Sequence, residues 1–450
     1  MAKKDKTTFV CENCGAESPK WIGKCPSCGE WNTYKEHLVR KNKPSTGSQA
    51  EKKEIKKLTD ISLQEESRIS CGYSEVDRVL GGGMVYGSLI LLGGEPGIGK
   101  STLALQIALK SSYIKTLYVS GEESLRQIKL RGQRLGEEHE NIFLLNETNL
   151  EEIINHCSDF KPDIIIIDSI QTLYSESVDS SPGSVTQVRE GATRLLKYAK
   201  ETNIPVFLIG HINKEGNIAG PKVLEHIVDV VLQFEGDHNY VYRVLRGLKN
   251  RFGSTSEIGI FEMHNDGLNQ VLNPSELLVN QRDDKLSGMS IAATIDGIRP
   301  FMVEIQSLVS PSAYGTPQRS ATGFDFRRLS MLLAVLEKRA KLNLYNKDVF
   351  LNIAGGIKVV DTAVDLSIVA SLLSSVTDKP VPHNICLAGE VGLSGEIRAV
   401  NQIENRIAEA EKIGFNKIIL SQYNKITTNN NKIEIQRIKH VGDLYRTLFQ

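Results

Sequence analysis

The stretch that decides the fold spans residues 93–102 and reads Gly93-Gly94-Glu95-Pro96-Gly97-Ile98-Gly99-Lys100-Ser101-Thr102. The apolar run Ser88–Leu92 precedes it, and the helix-forming run Leu103–Leu109 follows it. The stretch therefore matches the pattern GxxxxGK[ST] between a strand and a helix, which is the context that a phosphate-binding loop requires. A chance glycine-rich turn is the competing interpretation, but here every fixed position and both flanking elements are present.

Each part of this loop has an expected role. The glycines let backbone N–H groups turn inward around phosphate oxygens, and the amino terminus of the following helix adds partial positive charge. We expect residues 94–102 to bind ATP, with Lys100 reaching the β- and γ-phosphates. The Ser101 hydroxyl is expected to ligate Mg²⁺.

A second group must hold the magnesium shell, and the run Ile164–Ile167 supplies a candidate. The run is wholly apolar and ends at Asp168. An apolar strand with a carboxylate at its tip is the Walker B pattern, in which the carboxylate holds the Mg²⁺ shell. The alternative is a strand-end aspartate that caps the next helix.

Hydrolysis also needs a group that orients and deprotonates water. The strand-like run Thr116–Ser120 is followed closely by Glu122 and Glu123. In RecA-like ATPases a glutamate after this strand serves as the base. We predict Glu122 as the base, with Glu123 as the alternate, and a solvated acidic turn is the competing interpretation.

Three further residues are candidates for contacts with the nucleotide. His211 ends the run Val206–Gly210, where a polar residue either senses the γ-phosphate or is only structural. Lys249 and Arg251 belong to the basic segment KNRFG at 249–253. ATPase rings supply such cations to the neighbouring subunit's nucleotide, where they neutralise charge in the transition state. Spacing alone would favour a basic surface turn.

Four of the seven cysteines form two pairs near the amino terminus. Cys11 and Cys14 stand in CENCG, and Cys25 and Cys28 stand in CPSCG. The two-residue gap lets both thiolates of a pair face one ion, and the glycine frees the backbone to donate N–H bonds to sulfur. Four sulfurs and no open position predict a structural, tetrahedral Zn²⁺ site. A rubredoxin-like iron site uses the same knuckles and is the alternative.

Trp21 and Trp31 flank the second cysteine pair. We expect them to pack in the small core of the zinc module, and the alternative is that they stack on a base of a partner. The three isolated cysteines are predicted to be small buried apolar residues: Cys71, Cys157 and Cys386.

Length, composition and charge limit the class of protein. The chain has 450 residues, of which 40% are hydrophobic and 24% charged, as expected for a globular protein of two or three domains. No apolar run could span a bilayer and no secretory signal is present, so we expect a cytoplasmic protein with no membrane partner. Residues 1–57 carry 13 Lys and Arg against 7 Asp and Glu, either as a solvated arm or to attract polyanions.

The pattern predicts an α/β protein with four segments. Residues 1–40 form the zinc module, 41–67 a linker, 68–272 a RecA-like ATPase domain, and 273–450 a second α/β domain. Apolar strands alternate with helices in the third segment, which predicts a mainly parallel sheet.

The fourth segment begins with an expected hairpin. It pairs Met289–Ile295 with Phe301–Leu308 through a tight turn at Asp296-Gly297. Apolar residues at helical spacing predict two helices: Leu329, Leu332, Leu333 and Leu336 in one, and Ile403, Ile407 and Ala410 in the other. Strands are expected at Val349–Ile353 and Lys417–Leu420.

Together these residues resemble the bacterial RadA family, also called Sms, of DNA repair ATPases. The likeness covers nearly the whole chain. It depends on the four-cysteine knuckle, GEPGIGKST, IIIID, KNRFG and a carboxy-terminal domain similar to that of Lon protease. KNRFG in this order with the zinc module is highly specific, and it makes Lys249 and Arg251 candidates for catalysis.

The resemblance implies a hexameric, DnaB-like, helicase-type motor on single-stranded and branched DNA. Such a motor would extend heteroduplex by branch migration at recombination intermediates made with RecA, as part of the response to DNA damage. Loops lining the central channel would couple nucleotide state to DNA affinity. Ser175–Ser184 and Asn213–Lys222 are the flexible candidates for these loops.

The Lon-like domain lacks the residues that proteolysis needs. Aligned with the Lon nucleophile motif, Val364 stands where the serine belongs, and aligned with the lysine motif, Glu404 replaces the lysine. Valine cannot attack a peptide, and a carboxylate cannot replace the amine that acts as base. We therefore predict no protease activity. Competing hypotheses are a nucleotide-switched assembly protein that ignores DNA and an ATP-dependent protease.

Overall fold

The computed structural model divides the chain into two compact units. The first contains residues 1–235, 245–255 and 264–269, and the second contains 236–244, 256–263 and 270–450. The predicted boundaries at residues 40, 67 and 272 stay predictions. The residues that the structure describes are 6–11, 16–26, 29–39, 57, 67–111, 113–136, 140–211, 221–236, 241–279, 286–312, 316–427 and 432–450. Within these ranges no helix has both the length and the apolar character that crossing a bilayer needs.

The amino-terminal module is a small antiparallel sheet. Its strands are β1 Lys6–Cys11, β2 Glu17–Ser18 and β3 Tyr34–Val39. β1 lies in the centre and pairs with both neighbours. The core contains Cys11, Cys25 and Tyr34, and Phe9, Ala16 and Ile22 pack against it.

The two tryptophans lie outside this core. Trp21 is 53% exposed and Trp31 is 67% exposed. The expectation that they pack in the core is therefore wrong, since the buried cluster consists of Cys11, Cys25 and Tyr34 among the described residues.

The ATPase region alternates strands and helices. Its elements are β4 Arg68–Ile69, α1 Ser74–Leu80, β5 Met84–Val85, β6 Leu89–Gly94, α2 Lys100–Lys110, β7 Thr116–Ser120, α3 Leu125–Arg134, β8 Ile142–Asn146, α4 Leu150–Phe160, β9 Ile164–Asp168, α5 Val185–Thr202, β10 Val206–His211, α6 Pro221–Ile227, β11 Val230–Glu235, β12 Tyr242–Asn250, β13 Ile258–His264 and β14 Gly267–Gln270. The main sheet has the strand order β14-β13-β12-β11-β6-β10-β9-β7-β8.

The strands nearest the phosphate loop are parallel, as predicted. β6 pairs in parallel with β10 and β11, and β9 pairs in parallel with β10 and β7. Every residue of β6, β7 and β9 is buried, because helices cover both faces of a parallel sheet. β6 continues two residues past the predicted end at Leu92, since Gly93 and Gly94 pair with Gly210 and His211.

The carboxy-terminal region contains a mixed sheet. Its elements are α7 Pro274–Leu278, β15 Met289–Asp296, β16 Arg299–Pro311, β17 Arg319–Thr322, α8 Phe326–Arg339, β18 Lys347–Ile353, α9 Asp365–Thr377, β19 Ile385–Ala388, β20 Glu390–Val391, β21 Ile397–Arg398, α10 Ile403–Ile413, β22 Lys417–Ser421, β23 Glu434–Ile438 and α11 Val441–Phe449. The larger sheet has the order β17-β18-β16-β15-β19-β22-β23. The leucines predicted to share one helix lie on α8, and all four are fully buried.

The predicted hairpin forms, with its turn one residue later than expected. Asp296 pairs with Arg299, so the loop consists of Gly297 and Ile298. Gly297 has φ +64°, which is the left-handed region that a two-residue hairpin requires at this position. The Asp-Gly dipeptide correctly predicted that Gly297 lies in the turn. Asp296, however, is paired with Arg299 and belongs to strand β15.

Candidate nucleotide-binding site

The phosphate loop connects the end of β6 to the start of α2. Gly97 and Gly99 have φ of +78° and +113°, a region in which a side chain would be strained. Gly99 is the residue immediately before α2, and Lys100 begins the helix. The loop therefore directs backbone N–H groups and a helix amino terminus to one place, which is how proteins bind phosphate.

Lys100 is held at the loop by its own backbone. Its side chain is buried, and Nζ donates to the carbonyl oxygens of Gly94 at 2.8 Å and Glu95 at 2.9 Å. Burial lowers the pKa of Lys100 to about 8, and the negative charges of Asp168, Glu122 and Glu95 oppose this shift. The ammonium is thus partly desolvated beside the phosphate site, where a phosphate oxygen would compensate it.

Strand register brings the other predicted residues to the same edge of the sheet. His211, the last residue of β10, lies opposite Gly94, the last residue of β6. Asp168, the last residue of β9, lies opposite Ser120, the last residue of β7. The carboxyl ends of four parallel strands therefore meet here, where open α/β sheets bind their ligands.

Asp168 has an oxygen that fits a metal shell. The carboxylate is buried, and its Oδ2 accepts from the Tyr118 hydroxyl at 2.7 Å. Its Oδ1 is buried and has no hydrogen-bond partner among the described residues. A buried carboxylate oxygen is costly without a partner, and a hard cation such as Mg²⁺ is a suitable one.

Glu122 and Glu123 point to different partners. Glu122 Oε1 accepts from Ser169 Oγ at 2.5 Å and lies 3.0 Å from His211 Nε2. Glu123 instead forms an ion pair with Arg131 of α3. Of the two glutamates, Glu122 is the one that contacts His211 in the described structure, which favours it as the base.

The pKa of Glu122 is held below its usual range. The hydrogen bond from His211 is the largest cause, burial opposes it, and the hydrogen bond from Ser169 and the charge of Lys100 add to it. Glu122 is therefore ionised at neutral pH and can accept a proton. With the proton of His211 on Nε2, its Nδ1 is an acceptor, and this atom is buried with no partner among the described residues.

Sequence reasoning missed three residues at this edge. Tyr118 supports Asp168, and Ser169 supports Glu122. Gln171 has both amide atoms buried with no partner among the described residues. Ser169 and Gln171 follow the Walker B strand directly, so proximity to a strand tip could have identified them, whereas a tyrosine inside a strand gives no such signal.

Lys249 and Arg251 lie at the opposite end of the strands. Lys249 Nζ donates to the carbonyls of Glu225 at 2.5 Å and Val228 at 2.7 Å. Arg251 Nη1 lies 3.2 Å from Asp229 Oδ1. Asp229 in turn accepts from the backbone N–H of Leu89, the first residue of β6.

This placement separates the two cations from their own phosphate loop. Leu89 and Gly94 begin and end a six-residue strand, which is about 17 Å long at 3.3 Å per residue. Arg251 is half exposed, and burial followed by the charge of Arg251 lowers the pKa of Lys249. Both cations therefore face away from the site formed by Lys100, Glu122 and Asp168.

The candidate channel loops are only partly described. Gln187 of α5 is buried, and its Nε2 donates to the carbonyls of Ser175, Val178 and Ser180. The segment expected to be a flexible loop, Ser175–Ser184, is therefore held by hydrogen bonds. Residues 213–220 of the second candidate lie outside the described residues.

The two protease positions in the second unit are occupied by unreactive groups. Val364 is fully buried at the start of α9. Glu404 Oε1 accepts from the backbone N–H and the hydroxyl of Thr427 at 2.8 and 2.5 Å. A buried ion pair lies nearby in sequence, with Arg406 Nη1 2.6 Å from Asp361 Oδ2.

Two of the four zinc-candidate cysteines lie together. Cys11 and Cys25, the first cysteine of each pair, share one buried cluster. The backbone N–H of Cys25 donates to Glu30, and that of Gly29 donates to Cys25, which closes the turn of the second knuckle. Cys14 and Cys28 lie outside the described residues. The donor chemistry of two buried thiols in paired knuckles fits zinc.

These features define a class of protein. A phosphate loop between β6 and α2, a carboxylate at the tip of β9 and a mainly parallel sheet are the parts of a RecA-like P-loop ATPase. Family models support this class and the predicted fold. Residues 9–36 match a rubredoxin metal binding domain, 53–217 an AAA domain, and 315–424 the ChlI subunit of Mg-chelatase. These matches imply zinc in the first module and nucleotide with Mg²⁺ at the loop.

The chain belongs to the RadA family of DNA repair proteins, whose members are ATPases, as the resemblance predicted. It is 48% identical over 452 residues to the DNA repair protein RadA of Bacillus subtilis strain 168, with 99% of both chains covered. RadA of Rickettsia felis is 49% identical over 98% of both chains, and RadA of Listeria monocytogenes is 48% identical over 94% of both. A solved KaiC-like protein of Pyrococcus horikoshii OT3 aligns with 46% of this chain and 99% of its own at 20% identity, with a TM-score of 0.38.

Proposed function

We propose that the chain is a DNA-dependent, helicase-type ATPase that works as a hexameric ring. It would move on single-stranded DNA and promote branch migration with RecA at recombination intermediates. Family membership supports the link to DNA repair. The contacts at the two ends of the parallel strands support the ring and the assignment of residues.

Hydrolysis is assigned to the carboxyl edge of the strands. Lys100 binds the β- and γ-phosphates after leaving the carbonyls of Gly94 and Glu95. Glu122 accepts the proton of the attacking water, and its bonds to Ser169 and His211 fix the direction of the carboxylate. When bound, Mg²⁺ would be held by Ser101 and Asp168 and would neutralise charge on the phosphates.

His211 is assigned as the γ-phosphate sensor. It contacts Glu122 through Nε2 and ends a strand next to the phosphate loop. Movement of Glu122 upon hydrolysis would therefore be transmitted through this contact to His211 at the end of β10. The second candidate channel loop begins at Asn213, so the histidine lies next to that loop in sequence.

One observation carries the proposal of a ring. Lys249 and Arg251 lie at the amino end of the strands, away from their own phosphate loop. Cations in that position can act on a nucleotide only if another copy brings its carboxyl edge to them. In a closed ring every subunit meets this condition, and the cations neutralise charge in the neighbour's transition state.

A mixing experiment tests this arrangement. Glu122→Gln removes the base and Arg251→Ala removes a cation, so each variant alone is expected to lose most ATPase activity. In a mixed ring, some interfaces place Glu122 of an Arg251→Ala subunit opposite Arg251 of a Glu122→Gln subunit. Activity should therefore partly return. No recovery in rings shown by mass measurement to be mixed would contradict the proposal.

The DNA-dependent part has its own test. The ATPase rate of the wild-type chain is measured with and without oligo(dT), alongside the mass of the assembly. We expect stimulation by DNA and a mass near six chains. Binding of nucleotide with slow, DNA-independent turnover would favour the nucleotide-switched assembly protein instead.

The protease hypothesis has no support in the second unit. Val364 is buried and Glu404 is already bonded to Thr427. We propose that this domain is a scaffold for ring assembly and carries a DNA-binding surface. Digestion of fluorogenic casein with ATP should stay at background, and cleavage that depends on this chain would revive the hypothesis.

The zinc site is proposed at Cys11, Cys14, Cys25 and Cys28. Cys11 and Cys25 are buried together, and each belongs to a knuckle with the spacing of a zinc ribbon. Metal analysis of the purified chain should give one zinc per chain. Cys25→Ser is expected to lose it.

A further inference from the structure

The two tryptophans of the chain lie on one surface of the zinc module. The whole sequence contains only these two, Trp21 and Trp31. An exposed indole is unusual, because a large aromatic side chain gains more from burial than from water. Both are more than half exposed, so the surface is suited to a partner.

Backbone bonds hold the two indoles side by side. Lys24 and Trp31 form an antiparallel bridge, and the N–H of Asn32 donates to the carbonyl of Gly23 at 2.7 Å. A Cβ placed on Gly23 would lie 3.7 Å from Trp21 and 3.8 Å from Trp31. The benzo edges of both rings thus lie beside one glycine, which leaves the space between them free of a side chain.

Each indole also has a contact that sets its position. Trp21 Nε1 donates to the carbonyl of Tyr34 at 3.1 Å, and Tyr34 belongs to the buried core of the module. Lys24 Nζ lies 5.6 Å from the centroid of the Trp31 ring. Trp21 is therefore anchored through its Nε1, and Trp31 has an ammonium group near its ring.

The neighbouring residues select the chemistry of the partner. Lys20, the residue before Trp21 in the sequence, and Lys24, whose Nζ lies near the Trp31 ring, are both exposed. Among the side chains of the module that the structure describes, Trp21 and Trp31 are the only large hydrophobic ones that are exposed. Nucleobases linked by phosphates match this surface, because bases stack on exposed aromatic rings and ammonium groups attract phosphates.

We propose that Trp21 and Trp31 stack on nucleobases of single-stranded DNA, while Lys20 and Lys24 contact the flanking phosphates. The zinc module is then a second DNA contact, separate from the motor. This inference deepens the DNA-dependent function proposed above and rests on it. Stacking does not read sequence, so the module binds any unpaired strand.

Intrinsic fluorescence tests the proposal directly. Because the chain has no other tryptophan, light absorbed by indole alone reports only on this surface. Unlabelled oligo(dT) is titrated into the full chain with zinc bound. We expect quenching that saturates at the same concentration as the anisotropy change of a labelled oligo(dT) measured separately.

Substitutions separate stacking from folding. Trp31→Ala should weaken oligo(dT) binding by roughly tenfold, since one stacked base contributes about a tenfold change or more. Trp31→Phe, which keeps a flat ring, should recover most of the affinity. Tyr113→Ala is the matched control, because Tyr113 is exposed but lies outside the module. Zinc content shows that each variant is folded.

The outcomes distinguish this proposal from the function on which it rests. Oligo(dT) that changes anisotropy and stimulates ATPase activity while tryptophan emission stays constant would overturn the stacking proposal alone. Emission that responds to a recombinase filament but not to oligo(dT) would assign the surface to a protein and overturn it too. Absence of any binding of oligo(dT) would overturn both proposals.

Discussion

The carboxyl edge of the ATPase strands and the Asp361–Arg406 ion pair of the second unit use buried charge in opposite ways. At the first, Asp168 keeps one buried oxygen with no partner among the described residues. At the second, Asp361 accepts four hydrogen bonds, from Arg406, Thr294, Ile295 and Ala363. Satisfied charges hold a fold, whereas an unsatisfied one is available to a ligand.

The same contrast appears in the basic residues. Among the described residues, Lys100 Nζ hydrogen-bonds to carbonyls of its own loop alone, and a phosphate can replace these. Arg328 instead binds both oxygens of the buried Asp365 at 2.8 and 2.5 Å, and such a pair costs much to separate. A buried charge alone therefore does not identify a ligand-binding site. A buried charge whose hydrogen-bond partners a ligand can replace does.

The largest effect is expected for Lys100→Ala. Loss of the ammonium removes charge stabilisation of the transferring phosphoryl group, so ATP hydrolysis should fall by at least about a hundredfold. Thermal unfolding should change little, because the hydrogen bonds described for Lys100 Nζ go to its own loop. Lys110→Ala, on the exposed end of the same helix, is the control and should keep its ATPase activity.

Glu122→Gln and Glu123→Gln form a matched pair. Removal of a general base costs about 10²–10⁴ in rate, and this loss is expected for Glu122→Gln only. Glu123→Gln should stay within a few fold, because its partner is Arg131. Single-turnover hydrolysis measures both, and the opposite order would assign Glu123 as the base.

In the second unit, Arg406→Met should reduce stability instead of catalysis. Arg406 is 3% exposed, and breaking a buried pair costs about 3–5 kcal/mol. Arg446→Met is the control, since its pair with Asp443 is exposed and should contribute at most about 1 kcal/mol. Urea unfolding followed by circular dichroism compares the two. Equal losses would contradict the distinction between the two pairs.

The smallest effect concerns pH. The pKa of Lys100 is lowered to about 8, and nucleotide binding requires the ammonium form. Affinity should thus be constant below this pKa and fall as pH rises through it, by roughly fivefold between pH 8 and pH 9. Titration with a fluorescent ATP analogue measures this. Lys100→Arg stays charged over this range, so its affinity for the analogue should not depend on pH. The same fall in affinity with pH in the wild-type chain and in Lys100→Arg would refute the prediction.

Local patterns in the sequence predicted most of the site, but not its partners. β7 was predicted with its observed ends, and β9 and β10 each extend one residue further, to Asp168 and His211. The difference between Glu122 and Glu123 depends on Ser169, His211 and Arg131, which are distant in sequence. Neighbouring acidic residues have the same local signal, so only the fold separates them.

The zinc module also shows that local sequence patterns do not predict contacts between distant residues. Cysteine spacing predicted the knuckles, but the exposure of Trp21 and Trp31 depends on how little space the core leaves. Side-chain burial in so small a module is decided by contacts across strands. The hairpin turn at Gly297 was displaced for a similar reason, since pairing across strands determines which residues form the loop.

The most direct test of the account is a structure with Mg²⁺ and a non-hydrolysable ATP analogue. We predict terminal phosphates inside the Gly94–Thr102 loop, Lys100 Nζ moved from the Gly94 and Glu95 carbonyls to a phosphate oxygen, and Asp168 Oδ1 in the metal shell. A nucleotide bound elsewhere, or Lys100 still on both carbonyls with the analogue in place, would contradict it.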